Sequence, residues 1–532
     1  MKRLLRLGLT LLAAITLFVT VSATNYFLGF PNRTLVYVSS VNYGGVPAGN
    51  DVTGTGTASN PYESCDAGLS AAASNNATVR FNGNPSSPTL YRCSLGIAKG
   101  LTVEAVNTLG AKLAGTTVTA ALNISVSNGE TVTIRNLIIA PDENLAGPAA
   151  YALFLATPTT RWTLNLTGNI IQNWTDTGVK LAGTNAKLDF NSTSNTYTTT
   201  TANNGVNIGS LHTGDFRSTD DTIVITNQQA ANIGGNLNVV ATQPTGVTAI
   251  VTRLNSSMTV DPSLPAVQQH FGNRILGVPN AVFDGGTQSC DVSNPSTHQC
   301  VTTGFQRSAT LSVSGSVIRN VTCSIHVANN SGGCLENSTD SVWTDRSLSD
   351  GVIIEDNIVQ DLGDPSGTTH TIGMFVSQNS IVRRNTFIGG ALCAVMKSNV
   401  DLLVHQNTLS DCGSKYLYDK GSHGTTFSSN VVNITTGFPG TGITCGTNAG
   451  GGYDFDDCSG GTSSANTLNY NGAINAVLVS VGSGQSMTFA NNVYNYNSGT
   501  RRTTDDWFYD PTAYADLAAW QVKEPTATGT YP

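Results

Sequence analysis

Charge is scarce in this chain. Only 11% of its 532 residues are Asp, Glu, Lys or Arg, against roughly 25% in an average soluble domain. Lys and Arg number 26 and Asp and Glu 34, so there is no basic excess to track nucleic-acid phosphates, and a nucleic-acid partner is not expected. None of the ten cysteines belongs to a CxxC pair, and the seven histidines do not cluster at metal spacing. Zinc ribbons, zinc fingers and dithiol redox motifs are thereby removed. No His-Glu-x-x-His, Gly-x-Ser-x-Gly, P-loop or dinucleotide fingerprint is present. Beyond the N-terminus no apolar run is long enough to cross a membrane. The chain is nonetheless 39% hydrophobic, too apolar and too weakly charged for generic disorder. Its length suits several ordinary domains or one elongated one.

Residues 1–23, MKRLLRLGLTLLAAITLFVTVSA, have a positive start (Lys2, Arg3, Arg6), an apolar middle and a small-residue end at Val21-Ser22-Ala23. This pattern predicts a cleaved signal peptide. The alternative is an uncleaved anchor, for which the stretch is short. Cleavage would move the formal charge from −8 to −11, since three cations leave with the peptide. The protein is expected to be secreted, with cell-surface attachment as the variant, and to have no membrane partner after cleavage. The ten cysteines lie beyond residue 23, and an even count in an exported chain suggests disulfides. Sequence leaves their connectivity open. Local pairing is the simplest reading: Cys65 with Cys93, Cys290 with Cys300, Cys323 with Cys334, Cys393 with Cys412 and Cys445 with Cys458. Eleven Asn-x-Ser/Thr sequons are what chance provides in a chain so rich in these residues.

The clearest internal signal is a repeat. VIIEDNIVQDLG from Val352, SIVRRNTFIGG from Ser380, LLVHQNTLSDCG from Leu402 and TTFSSNVVNITTG from Thr425 share one template. An apolar residue stands three before an asparagine and another two after it: Ile354/Asn357/Val359, Val382/Asn385/Phe387, Val404/Asn407/Leu409 and Phe427/Asn430/Val432. The asparagines are 28, 22 and 23 residues apart. Leu166/Asn169/Ile171 and Phe489/Asn492/Tyr494 fit the same template far from this group. Short β-branched runs with period-two alternation, divided by Gly, Asn and Ser, are strands. A near-constant period with one asparagine per repeat predicts coils of a parallel β-helix, stacked at about 4.8 Å. Stacked asparagines can then pass amide hydrogen bonds from coil to coil. Residues 130–495 leave room for about fifteen coils and a rod on the order of 70 Å.

These repeats resemble those of right-handed parallel β-helix proteins of the pectate-lyase-like superfamily. LVYVSSVNYGG, GTGTASNPYESCDAGLSAAA, ATVRFNGNP and GLTVEAVN resemble the opening region of such proteins, with a capping helix at about Tyr62–Ala73. WFYDPTAYADLAAWQ, from Trp507 to Gln521, resembles their closing segment. The resemblance implies an all-β, single-stranded right-handed parallel β-helix. Its parts would be an N-terminal cap with the first coils (24–130), the helix proper (131–495) and a short closing segment (496–532). Terminal caps are needed because the rod would otherwise end in open apolar cross-sections. The fold hosts lyases, hydrolases, epimerases and inert surface proteins, so it leaves function open.

Two outward ladders carry the candidate chemistry. Glu355, Arg383 and His405 each stand two residues before a template asparagine and alternate with inward residues. They read either as an acid–base row or as a surface charge ladder that blocks lateral association. Lys397 and Lys420, 23 residues apart, form the second ladder. Lys397-Ser398 followed by Asn407-Thr408, then Lys420-Gly421-Ser422 before Asn430, is similar to a pattern in chondroitinase B and alginate lyases of that kind. The similarity implies Lys397 as general base, with Lys420 where the family has an acid arginine. β-Elimination needs such a base and a cation or metal on the uronate carboxylate. The chain departs from the family at Gly390 and Leu392, which occupy the positions of two acidic metal ligands. The carboxylates that could instead serve a glycoside hydrolase include Asp401 with Asp419. Asp454, Asp456 and Asp457 form an acidic cluster between Cys445 and Cys458. It reads as solvated loop acids or as a calcium site, calcium being the one cofactor considered. Tyr416, Tyr418, Tyr453 and Trp343 could stack on sugars or simply pack. The expected function is binding, and possible cleavage by β-elimination, of an acidic polysaccharide or cell-surface glycan by a monomeric protein. A non-catalytic adhesion rod and a glycoside hydrolase stand as alternatives.

Overall fold

The alternating runs form strands, and each strand pairs with its counterpart one coil later. The computed structural model describes residues 34–530, apart from short stretches of one to four residues and the longer stretches 234–246, 259–270, 277–308, 329–348, 362–369, 447–457 and 499–507. Its strands make three large sheets of 15, 15 and 14 strands, parallel except for one antiparallel pair at the end of the third. The chain visits the sheets in rotation, which defines a parallel β-helix. Around the repeats the first sheet holds Ile353–Glu355, Ile381–Arg383, Leu403–His405 and Thr426–Ser428. The second holds Thr386–Gly389, Thr408–Ser410 and Val431–Thr435. The third holds Leu392–Lys397, Lys415–Lys420 and Thr441–Gly446. Ile354, Val382, Val404 and Phe427 stack in register inside the rod, all fully buried.

The template asparagines form the expected internal ladder. Asn385 Nδ2 donates to Asn407 Oδ1 at 2.9 Å, Asn407 Nδ2 to Asn430 Oδ1 at 3.0 Å, and Asn430 Nδ2 to Asn466 Oδ1 at 2.9 Å. Each asparagine also bonds a backbone carbonyl of the preceding coil, as Asn407 Nδ2 does with Val382 O at 2.9 Å. The residue before each asparagine takes a left-handed conformation: φ is 54° at Arg384, 55° at Gln406 and 54° at Ser429. That conformation costs about 1–2 kcal/mol in a non-glycine residue. The amide bonds across the turn offset it and fix the sharp bend from first to second sheet. An earlier ladder runs from Asn169 through Asn195 to Asp221.

The coil count differs from the expectation of about fifteen. Among the described residues the first sheet has 12 strands from Thr131–Arg135 to Met487–Ala490. The 22-residue period is a minimal coil, and other coils carry insertions. Asn430 and Asn466 are joined across one coil although 36 residues apart.

The cap helix is Cys65–Ala71, shorter than expected, with Ser64 as N-cap and a Cys65–Cys93 disulfide at its start. Gly68 seats it on the core, since a Cβ there would lie 2.2 Å from Val38 Cγ2. At the other end Phe508–Asp510 and Thr512–Tyr514 form an antiparallel pair, followed by the helical turn Leu517–Trp520. Trp520 stacks on Phe508 at 5.0 Å and meets Phe489 edge-on at 5.2 Å. Glu524 ends the ladder, accepting from Asn492 N, Asn492 Nδ2, Tyr494 Oη and Trp520 Nε1 at 2.8–3.0 Å. Cys393–Cys412 and Cys445–Cys458 are bonded as sequential neighbours. Cys290, Cys300, Cys323 and Cys334 lie outside the described residues, as does the signal segment 1–23. Among the described residues no helix is long and apolar enough to cross a membrane.

Candidate functional site

The first ladder exists as a continuous row. Glu355, Arg383, His405 and Ser428 are register partners on successive first-sheet strands and face outward, opposite to the buried residues between them. Arg383 Nε donates to Glu355 Oε2 at 2.8 Å, and an Arg384 nitrogen reaches the same oxygen at 2.8 Å. Arg384 also pairs with Asp356 through two bonds of 2.8 and 2.7 Å. Its guanidinium holds the Asp356 carboxyl below the usual carboxylate range. His405 Nδ1 lies 2.8 Å from Ser428 Oγ. Glu355 is thus ion-paired with Arg383 and Arg384, and His405 is hydrogen-bonded to Ser428.

The second ladder stands on another face. Lys397 and Lys420 are register partners on the third sheet, and Lys420 is opposite Gly446 on the next strand. Strand alternation turns them away from Met396 and Asp419, which lie inside the rod. Lys397 is only 3% exposed although it faces outward. Beside the lysines runs a second outward row, Val395, Tyr418 and Thr444, in register and buried. Lys415 Nζ sits 3.7 Å from the Tyr418 ring centroid. The ring also rests on the glycine at 446, where a Cβ would lie 3.0 Å from its Cε2. Thr444 Oγ1 is buried with no hydrogen-bond partner. The strand ends that carry the lysines are braced from within. Asn399 N donates to Ser422 Oγ at 3.0 Å, Asn399 Nδ2 to Met374 O at 2.8 Å, and Ser422 N to Asp419 Oδ1 at 2.9 Å.

The five proposed site residues therefore form two groups: Glu355, Arg383 and His405 on the first sheet, Lys397 and Lys420 on the third. Asp419 is fully buried, stacked in register between the core residues Met396 and Cys445. Asp401 is exposed at a turn with φ of 53°, so these two carboxylates do not face each other across a groove. Tyr416 is fully buried and donates to Phe438 O at 3.1 Å, which makes it a packing residue. Asp454, Asp456, Asp457, Tyr453 and Trp343 lie outside the described residues. Among the described residues no group of three His, Cys, Asp or Glu could hold a metal.

Sequence reasoning missed the extent of the third-sheet row. By register the Tyr418 row runs back through the positions of His326, Arg274, Asn207 and Lys180. Coil-length variation hides this alignment, because the asparagine template marks only the turn between the first and second sheets.

The fold defines the class: a parallel β-helix. No family model and no curated protein matches the chain. Solved structures do. GH136 lacto-N-biosidase from Eubacterium ramulus matches at 12% identity and a TM-score of 0.28, covering 87% of this chain and 64% of its own. Tailspike protein 3 of bacteriophage CBA120 matches at 11% identity and 0.36, covering 88% and 63%. The A-module of the mannuronan C-5 epimerase AlgE6 from Azotobacter vinelandii matches at 10% identity and 0.34, covering 88% and 93%. This chain thus spans less than two thirds of the first two. At such identities the likeness is one of fold alone.

Proposed function

We propose that the protein is exported, binds an acidic polysaccharide along the outer face of its third sheet, and cleaves it by β-elimination at Lys397 and Lys420. The observation that carries this reading is the pair of lysines one coil apart, about 4.8 Å along the rod, with Lys397 almost wholly withdrawn from water. Lys420 would neutralise the uronate carboxylate and so acidify the proton on the adjacent carbon. Lys397 would take that proton. The electron pair released forms the carbon–carbon double bond as the glycosidic carbon–oxygen bond breaks, and the leaving oxygen takes up a proton. A lysine supplies charge without the bidentate grip of an arginine. Glu355, Arg383 and His405 stiffen the first sheet in this reading. Calcium, if used, would be held by Asp454, Asp456 and Asp457. The protein acts as a monomer.

The test is ultraviolet absorbance of unsaturated uronate products on alginate, pectate and glycosaminoglycans, with and without calcium. A rise that Lys397→Ala abolishes supports the reading. A flat trace across the panel with folded protein overturns it. The self-contained Glu355–Arg383–Arg384 network favours, as second reading, a rod that binds without cleaving. That reading predicts retention on an acidic polymer with no absorbance change.

A further inference from the structure

The second sheet presents a face unlike the other two. None of the outward-facing residues on Thr386–Gly389, Thr408–Ser410, Val431–Thr435, Thr467–Asn471 and Val493–Ser498 is ionisable. Down its centre runs an external amide ladder: Asn469 Nδ2 donates to Asn433 Oδ1 at 2.9 Å, and Asn495 Nδ2 to Asn469 Oδ1 at 3.0 Å. A parallel pair at the margin joins Asn497 Nδ2 to Asn471 Oδ1 at 3.0 Å. Thr435 Oγ1 turns the same way and donates to Asp411 at the strand edge, 3.0 Å away. The internal ladder is buried and serves the fold. This one is half-exposed, and Asn469 at its centre spends one N–H and one acceptor lone pair on the ladder, which leaves one of each outside it.

We infer that this face binds a neutral polysaccharide chain running along the rod axis. The amides are already fixed by their neighbours, so little side-chain freedom is lost on binding. They repeat at about 4.8 Å, and sugar hydroxyls both donate and accept. With no ionisable group among the outward residues of these strands, and Asp411 at the edge engaged by Thr435, a charged polymer would lose hydration there without compensation, while an uncharged one would not. The five strands offer about 24 Å by about 16 Å, roughly 400 Å². That is half of the ~800 Å² per partner of a stable protein interface, so a second copy is a poor occupant and a narrow linear chain a good one. This surface is separate from the third-sheet site and does not depend on cleavage.

The experiment is retention of the full chain on cellulose, chitin and mannan particles in low and molar salt. The expected result is retention on at least one, unchanged by molar salt, and weakened about tenfold in Asn469→Asp. Thr408→Glu places a charge on the face without touching the ladder and gives the same loss, which guards against a folding defect in the first variant. The inference is overturned by absence of retention on all three polymers, by retention that molar salt abolishes, by full retention of both variants, or by a dimer that Thr408→Glu dissociates.

Discussion

A single amide can hold three coils together. Asn407 donates to Val382 O and Asn430 Oδ1, and its own oxygen accepts from Asn385 N and Nδ2. Asn407→Ala leaves these buried groups unpaired, and each unsatisfied group costs about 1–3 kcal/mol. We expect a loss of about 3 kcal/mol in chemical denaturation; a loss indistinguishable from zero would mean the ladder follows the fold rather than fixes it. Asp221 ends the other ladder, and burial raises its carboxyl above the usual range despite bonds from Ser218 and Asn195. For a carboxyl raised by folding, the penalty appears as pH climbs past the ordinary carboxylate value of about 3.9 and is absent below it. Asp221→Asn should therefore melt higher than wild type at neutral pH, with the advantage shrinking in acid. An advantage equal at every pH would contradict this. The asparagines were legible in the sequence because one stands at the same turn of each template repeat, flanked by buried apolar residues at fixed distances. Alternation gave the outward direction of Lys397, but not its burial. Nor did it give the ion pairs that close the Glu355 row.

The elements divide into repeats, whose period is readable, and ends, whose contacts are not. The shortest coils set the 22-residue estimate, and insertions such as the one between Asn430 and Asn466 made the coil count too high. The closing segment was recognisable in WFYDPTAYADLAAWQ, whereas the role of Glu524 beyond it was not. Trp520 is the centre of that cap, fully buried against Phe489, Phe508 and Tyr514. Trp520→Ala should cost about 3–5 kcal/mol and leave unpaired strand edges at the rod's end, which invite association. Light scattering should show oligomers that grow with concentration. A destabilised but monodisperse variant would mean the cap serves packing alone.

Along the rod from Glu355 onward the three faces differ in chemistry. The first carries paired charges, the second uncharged amides, and the third the lysines and Tyr418. The division follows from the coil: one strand per sheet, with every second side chain outward, lets each face be written independently in the sequence. The sequence put both the Glu355–Arg383–His405 row and the Lys397–Lys420 pair in register, but not the rest of the third-sheet row, which the asparagine template does not mark. The measurement that tests the functional account most directly is titration of a folded sample with an oligogalacturonate at rising salt, for wild type, Lys397→Ala and Lys420→Ala. The account predicts wild-type binding that weakens with salt and a loss of about tenfold or more, ~1.4 kcal/mol, in each variant. Salt-independent binding, or variants that bind as the wild type does, would contradict it.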